Sequence, residues 1–338
     1  MSDPAQLLDL LSTSDNVLIL QADNPDGDSL ASSLALEEIL GEMGKSTYMY
    51  CSINVPDYLK HMSGWSRVRD VFPSSYDVAI MVDNSYSRLL HNLTDTDLAT
   101  LKAKRLVILD HHGTETDIDF ANLDYNDPAC VSTGQVIYNL ATELDLPINL
   151  QAAEYITIST LSDTLGLTSE ALTGKPGPLQ MLADLVARGV DLSELNARRL
   201  EEIKTERDIV AYRGQLLQRI VFSEDGAIAH ITIPHDEIKK YGGQYNPTII
   251  LDEMRMVRGV KLGVGFKTYS QGDKISRVTA RIRSSKGFLI ADQLAEHFGG
   301  GGHPYASGAK WEGSDLDFDQ IKKDVLNKAH ELLDQLEQ

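Results

Sequence analysis

The chain has 338 residues, of which 42% are hydrophobic and 24% are charged, and its formal net charge is −19. A chain of this length exceeds one ordinary domain, so two domains are expected. The two cysteines, Cys51 and Cys130, are too few for a disulfide framework and favour a reducing, cytoplasmic compartment. The polar start of the chain predicts no signal peptide, and no run approaches the roughly 20 apolar residues of a membrane span.

The charge is unevenly distributed along the chain. Residues 1–221 carry 16 Lys and Arg against 33 Asp and Glu, whereas residues 222–310 carry 12 against 9. The acidic excess opposes binding to duplex DNA, because counterion release requires many cations on one face. The pattern is compatible with a metal-binding first part and an anion-binding second part, and a solvated acidic surface is the alternative explanation.

Three short apolar runs, at 17–20, 78–82 and 106–109, predict buried parallel strands. After the first run, Asp28 or Ser29 is expected to cap a helix, and Ser132 is expected to begin another after the third run. This alternation of strand and helix predicts the α/β class. We therefore expect an N-terminal parallel-sheet domain over residues 1–190.

The second half of the chain has a different pattern. Residues 191 to about 220 are rich in Glu and Arg and predict one long charged helix, so 191–221 is expected to be a helical linker. A smaller α/β C-terminal domain is expected over residues 222–338. Its predicted strands are 227–233, 259–268 and 275–282, and its predicted helices are 291–298 and 318–336.

Carboxylates follow the predicted strands of the first domain. Asp26 and Asp28 come after the first strand, Asp83 ends the second, and Asp110-His111-His112 ends the third, while Asp163 closes a further apolar stretch. In an open parallel sheet, ligands bind at the carboxyl ends of the strands. A helix cap or turn is an equally good explanation for each aspartate taken singly. Three successive strand ends with aspartate nevertheless point to one shared site.

Converging carboxylates repel one another unless a cation neutralises them, so a divalent metal is implied. Mixed carboxylate and imidazole ligation favours manganese, with magnesium as the alternative, and the lack of thiolates argues against structural zinc. Two such ions about 3.5–4 Å apart would serve phosphoryl transfer to water. The spacing therefore predicts metal-dependent hydrolysis of a phosphoester.

A second group of candidate functional residues is the glycine run 299–302, followed by His303 and Ser307. Glycines permit positive φ and leave backbone N–H groups open to an anion, although a flexible loop is the alternative. Nearby, Arg283 and Ser284 end a predicted strand, and arginine suits bidentate contacts with phosphate. We therefore expect a phosphate-binding site in the second domain.

These motifs resemble a known family. The segments Pro25-Asp26-Gly27-Asp28, Asp83, Asp110-His111-His112 and Asp163 resemble, in order and spacing, the four motifs of the DHH phosphoesterase family. The glycine run with His303 resembles the signature of the DHH-associated C-terminal domain. The compact length is most similar to the branch of oligoribonucleases that also dephosphorylate 3',5'-bisphosphate nucleotides. The resemblance implies manganese-dependent hydrolysis of short single-stranded RNA or DNA, or of mononucleotide phosphates.

The resemblance also implies a role for each matching residue. Asp26 would bind the first metal and Asp28 the second, Asp83 would bridge both, and His111 and Asp163 would complete the second site. His112 would contact the scissile phosphate, and Asp110 would orient the histidines. In the C-terminal domain, the residues implied to hold the phosphates are Arg283, Ser284, Gly300, Gly301, Gly302, His303 and Ser307.

Two positions depart from the family pattern. The family usually has a histidine where this chain has Ala22, so the first metal would lose its imidazole ligand. Asp23 is a candidate replacement, although adjacent side chains on a strand point in opposite directions. The milder departure is Leu165, where the family often has glycine after the threonine.

Several alternatives remain open at this stage. A nucleotide-binding regulatory protein with weakened catalysis is one, and a phosphodiesterase of cyclic or linear dinucleotides is another. The sequence gives neither the preferred base, nor the length and polarity of the substrate, nor the oligomeric state, and a homodimer is compatible with it.

Overall fold

The structure, a computed structural model, describes residues 2–113, 116–202, 204–241 and 250–336 of a chain that divides into two units, Met1–Lys204 and Thr205–Gln338. The elements of the first unit are α1 (Pro4–Ser12), β1 (Asn16–Leu20), α2 (Gly27–Glu42), β2 (Ser46–Tyr50), β3 (Val78–Val82), α3 (Asp95–Lys102), β4 (Arg105–Asp110), β5 (Leu123–Asn126), α4 (Thr133–Glu143), α5 (Leu150–Asp163), α6 (Gly177–Ala187) and α7 (Leu192–Glu202). The elements of the second unit are α8 (Arg207–Gln218), β6 (Val221–Phe222), β7 (Ile228–Ile233), α9 (His235–Tyr241), α10 (Ile250–Arg255), β8 (Leu262–Gln271), β9 (Lys274–Ser284), α11 (Ala291–His297), β10 (Gly301–His303), β11 (Ala306–Glu312) and α12 (Phe318–Leu336).

The first unit contains a five-stranded parallel sheet in the order β2-β1-β3-β4-β5. This confirms the predicted α/β class and the three predicted strands. The sequence did not predict β2 and β5, because these edge strands are only partly buried and lack a continuous apolar run. The chain moves from β1 to β2 on one side and then to β3 on the other, so the order reverses beside β1. Ligand sites of such sheets form at this reversal.

Both faces of this sheet are covered, which explains its apolar strands. On β1, Val17 and Ile19 pack with residues of α2, α4 and α5, whereas Leu18 and Leu20 pack on the opposite face, where α3 contributes Leu101. The sheet is therefore a rigid scaffold whose strand ends carry the polar residues.

Helix α2 begins earlier than expected. Its N-cap is Asp26, whose Oδ1 accepts hydrogen bonds from the backbone N–H groups of Asp28 and Ser29, both at 3.0 Å. The expectation of a cap at Asp28 or Ser29 was therefore wrong, because Asp28 already lies inside the first turn. Ser132 caps α4 as expected, since its Oγ accepts the N–H of Gln135 at 3.2 Å.

The expectation of one long helix over residues 191–220 was also wrong, since α7 and α8 are separate helices. Leu195 of α7 belongs to the core of the first unit, and Tyr212 and Leu216 of α8 belong to a core of the second unit. The sequence did not show the break because the two segments have the same helical spacing of apolar residues and the same charged composition.

The second unit contains a six-stranded sheet in the order β10-β11-β9-β8-β7-β6, in which only β7 and β8 pair in parallel. Its predicted strands and helices are confirmed, with bounds shifted by a few residues. One face packs against α11 and α12 through Phe266 and Ile282, and part of the other packs against α8 and α10 through Ile231. Among the described residues, no helix combines the length and the apolar character needed to cross a membrane.

Candidate metal centre

The candidate metal centre lies at the carboxyl ends of β3 and β4. Asp83 directly follows β3, and its backbone N–H donates to Leu109 of β4 at 2.9 Å. Its φ of 57° lies in the left-handed region, which aspartate tolerates better than most residues. This turn ends the strand and leaves the Asp83 carboxylate largely buried at the edge of the sheet.

His111 lies among three carboxylates that come from separate parts of the chain. Its Nε2 is 3.0 Å from Asp163 Oδ2, 3.4 Å from Asp28 Oδ2 and 3.7 Å from Asp83 Oδ1. Two groups of residues bring their ligand atoms within 4.8 Å of one another, namely Asp28, His111 and Asp163, and Asp83, His111 and His112. Asp163 reaches this position from the last turn of α5 rather than from a strand end.

Asp28 is held in place by a network of donors. Its Oδ2 accepts the backbone N–H of Thr133 at 2.7 Å, and its Oδ1 accepts the hydroxyls of Ser32 at 2.9 Å and Ser159 at 2.5 Å. The Thr133 hydroxyl also donates to Asp83 Oδ1 at 3.1 Å. Sequence reasoning missed these supporting residues. The hydroxyl-rich stretch of the buried helix α5 includes Ser159, but it does not identify Asp28 as the partner.

Gly27 permits the helices that carry these aspartates to approach closely. A Cβ atom at Gly27 would lie 2.2 Å from the Oγ of Ser162, so a larger residue would push the start of α2 away from the end of α5. Glycine at this position therefore allows Asp28 and Asp163 to reach the same site.

The electrostatics of the cluster fit a divalent cation. Burial, and then the charge of Asp163, raise the pKa of Asp28 to about 6. Burial and the charges of Asp28 and Asp26 raise the pKa of Asp83 well above its usual range, and burial also raises the pKa of Asp26. Buried carboxylates that raise the pKa of one another are stabilised when a cation lies between them.

His112 is oriented by Asp110. Asp110 Oδ1 lies 2.7 Å from His112 Nδ1 and accepts the backbone N–H of His111 at 2.8 Å. The hydrogen bond between the Asp110 carboxylate and His112 Nδ1 raises the pKa of His112. Burial acts to raise the pKa of Asp110, but hydrogen bonds, that of His112 foremost, and the charge of His112 outweigh it, so that the pKa of Asp110 is lowered. The buried carboxylate thus fixes one ring nitrogen of a half-exposed imidazole.

The structure does not bring Asp23 into the cluster. The Asp23 carboxylate accepts the backbone N–H of Asn92 at 2.9 Å and the hydroxyl of Ser52, and it lies 3.0 Å from His91 Nδ1. These partners come from loops after β2 and β3. Among the described residues, neither metal-ligand group includes Asp23 or Asp26. Asp23 therefore has partners other than the residues of the cluster.

The glycine run of the second unit closes α11. Gly299 has a φ of 73°, its N–H donates to Glu296 at 2.9 Å, and the N–H of Gly300 donates to Ala295 at 2.8 Å, which together form a Schellman motif. The expectation of free N–H groups along the whole run was therefore wrong for these two glycines. Gly301 and Gly302 instead form β10, which pairs with β11.

Arg283 and His303 lie at one end of the second sheet, since both are paired with Ala306 of β11. The exposed ring of His303 stacks on that of Tyr305, with centroids 5.3 Å apart and an angle of 3° between the planes. Burial lowers the pKa of Arg283, Asp252 opposes this shift, and the charges of Arg281 and Arg255 add to it. Sequence reasoning missed Tyr305 as a member of this aromatic and basic surface.

Two serines expected at the phosphate site are engaged within the unit. Ser284 is 1% exposed and its Oγ accepts the N–H of Ile290 at 3.2 Å, while Ser307 is 4% exposed and its hydroxyl donates to the carbonyl of His303 at 2.7 Å. Their hydroxyls are therefore buried beneath the surface that carries Arg283 and His303.

Comparisons with known proteins show what the chain resembles in sequence and in fold. Residues 16–161 match the sequence model described as DHH family, N-terminal domain. The "Bifunctional oligoribonuclease and PAP phosphatase NrnA" of Thermus thermophilus is 28% identical over 311 residues, which cover 92% of this chain and 88% of that protein. The Bacillus subtilis protein of the same name is 26% identical, covering 96% of this chain and 99% of that one. An exopolyphosphatase-related protein from Bacteroides fragilis shares the fold, with a TM-score of 0.80 at 20% identity over 99% of this chain and 97% of that chain.

Proposed function

We propose that the chain is a divalent-metal-dependent phosphoesterase of the DHH type, which acts on short oligonucleotides and 3',5'-bisphosphate nucleotides; the match of residues 16–161 to the DHH family model supports this. The observation that carries this proposal is the position of His111 Nε2, within 3.7 Å of the carboxylates of Asp28, Asp83 and Asp163. The two relatives named above support the substrate class, since their names join oligoribonuclease and PAP phosphatase activities.

Asp28, Asp83, His111 and Asp163 would hold the metal. A mixed set of carboxylates and imidazole favours manganese, with magnesium as the alternative. A bound ion of this kind supplies Lewis-acid stabilisation of phosphoryl oxygens and lowers the pKa of water. Asp26 caps α2 through Oδ1, and its Oδ2 would be the ligand of a second ion.

His112 would contact the scissile phosphate. Asp110 occupies its Nδ1, so Nε2 is the nitrogen that would face a phosphate oxygen. Because the hydrogen bond to Asp110 raises the pKa of His112, the imidazole is biased towards the charged form, which attracts a phosphate. Asp110 acts as the positioning residue of this pair.

In the second unit, Arg283 and His303 would bind the terminal phosphate of the substrate, together with the backbone of Gly301 and Gly302. Arginine donates two parallel hydrogen bonds to a phosphate, and β10 provides backbone at close range. The net charge of −19 favours a short ligand over a long strand, whose backbone would be repelled along most of its length.

A second candidate is favoured by Ala22. With no imidazole at that position and Asp23 engaged elsewhere, a nucleotide-binding protein with weak catalysis would show the same cluster with only one firm metal. The two functions differ in turnover, not in binding.

The test is product analysis by chromatography. Diadenylate and adenosine 3',5'-bisphosphate are incubated with the full chain and Mn²⁺, with a chelator in a parallel sample and Asp83→Asn as the matched variant. We expect both substrates to yield adenosine 5'-monophosphate only with the wild-type chain and metal. Binding of both without any product would support the second candidate and contradict catalysis.

A further inference from the structure

A pocket of about 470 Å³ lies in the first unit beside the metal cluster. Its inner wall includes Leu59, Met62 and Leu161, and its mouth includes Tyr58, Asn196 and Arg199. The volume falls within the range of roughly 300–1,000 Å³ typical of small-molecule sites. None of the roles proposed above uses this pocket.

The pocket is lined by residues next in sequence to the aspartates of the metal cluster. Gly27, which lies between Asp26 and Asp28 in the chain, and Ser162, which precedes Asp163, both line it. The phenol of Tyr58 provides a second link, since burial and then the negative charge of Asp26 raise its pKa. The pocket therefore borders the start of α2 and the end of α5, which carry Asp28 and Asp163.

The chemistry of the pocket suits a nucleobase. Leu59 and Met62 are each 1% exposed and form an apolar floor, while the Tyr58 ring remains 56% exposed at the mouth. Asn196 and Arg199 add hydrogen-bond donors at the rim, where Arg199 also donates to Asn196 Oδ1 at 3.1 Å. An apolar slot with an aromatic ring and a polar rim matches the flat face and polar edges of a base.

We propose that this pocket binds the base and sugar of the nucleotide whose phosphate lies at the metal cluster, with Tyr58 stacking on the base. The inference rests on the proposed function and names its substrate class, because an inorganic polyphosphate would leave the pocket unused. It also assigns recognition of the nucleoside to the first unit, separately from the phosphate contacts of the second.

Calorimetry on the full chain with Mn²⁺ tests this assignment, using adenosine 5'-monophosphate and inorganic phosphate as probes. Tyr58→Ala removes the ring, Tyr58→Phe keeps it, and Asn196→Trp fills the mouth. Ala197→Trp is the matched control, because Ala197 is an exposed neighbour on the same helix and does not line the pocket. Inorganic phosphate reports on the cluster alone.

We expect Tyr58→Ala and Asn196→Trp to weaken binding of the monophosphate by about tenfold, the order of one lost base-stacking contact. Tyr58→Phe and Ala197→Trp should bind it like the wild type, and phosphate affinity should stay the same in all four variants. Equal monophosphate affinity in wild type and Tyr58→Ala, or no monophosphate binding by the wild type, would overturn the proposal.

Turnover of diadenylate separates this result from that of the proposed function. Weakened monophosphate binding in the variants, with no turnover by the wild type, would support the pocket and contradict the phosphoesterase. Normal turnover with unchanged binding and KM in the variants would support the phosphoesterase and contradict the pocket.

Discussion

The backbone N–H of Asn92 donates a hydrogen bond of 2.9 Å to the carboxylate of Asp23, the residue next to Ala22. The same carboxylate lies 3.0 Å from His91 Nδ1 and accepts the hydroxyl of Ser52, so its partners come from the loops after β2 and β3. Asp23 is thereby held by loop residues, so we do not expect it to replace an imidazole at position 22. We therefore expect a metal near Asp26 to bind more weakly than one held by Asp28, Asp83, His111 and Asp163.

Ala22→His should restore that site. In calorimetric titrations with Mn²⁺, we expect the wild type to show one tight and one weak site, and the variant to show a tighter second site. The metal concentration for half-maximal turnover should fall accordingly. Ala22→Leu is the control, because it fills the same buried space without a ligand atom. Two equally tight sites in the wild type would show that another group already serves the first metal.

Asp83→Asn should lose activity and gain stability. Its carboxylate has a pKa raised by burial and by neighbouring aspartates, so its removal relieves repulsion in the metal-free protein. We expect a gain of about 1–2 kcal/mol in the free energy of unfolding in chelator, together with loss of most of the turnover. Denaturant titration and initial rates measure the two effects.

Asp83→Ala provides the matched comparison. The φ of 57° at this position suits asparagine better than alanine, so Asp83→Ala should be less stable than Asp83→Asn by about 1 kcal/mol. Near-normal turnover in either variant would contradict the role of Asp83 as a shared ligand.

Two alanine substitutions compare a glycine of the second unit that is closely packed, Gly300, with one that is open, Gly301. A Cβ atom at Gly300 would lie 2.2 Å from the carbonyl oxygen of Gly308, whereas one at Gly301 has no neighbour within 4 Å among the described residues. Gly300→Ala should lower stability by about 1–3 kcal/mol, as overpacking does. Gly301→Ala should unfold at the wild-type temperature. Equal unfolding temperatures for the two variants would show that β11 yields at this contact.

The second unit should control affinity rather than bond cleavage. Arg283→Ala and His303→Ala should raise the KM for diadenylate more than they lower kcat, because each removes a contact made in both the ground state and the transition state. Lys323→Ala, an exposed change on α12, is the control. A large loss of kcat with unchanged KM would place these residues in the chemical step instead.

The strands and the main aspartates and histidines were predictable because their signals are local. Asp83 and Asp110 follow apolar runs directly, and that order along the chain predicts a shared edge of the sheet. The donors to Asp28 were not predictable, because Thr133 and Ser159 lie 105 and 131 positions away and meet it only through tertiary packing. The sequence analysis did not predict that the N–H of Gly300 bonds to the carbonyl of Ala295 at the end of α11. This partner depends on where the helix ends, and the glycine run alone does not give that position.

Anomalous scattering from crystals soaked in Mn²⁺ tests the metal centre most directly. We expect a strong peak bounded by Asp28, Asp83, His111 and Asp163, with a weaker second peak near Asp26 that rises with metal concentration. A map with no peak among Asp28, Asp83, His111 and Asp163, at a metal concentration that supports turnover, would contradict the assignment of this cluster as the metal centre.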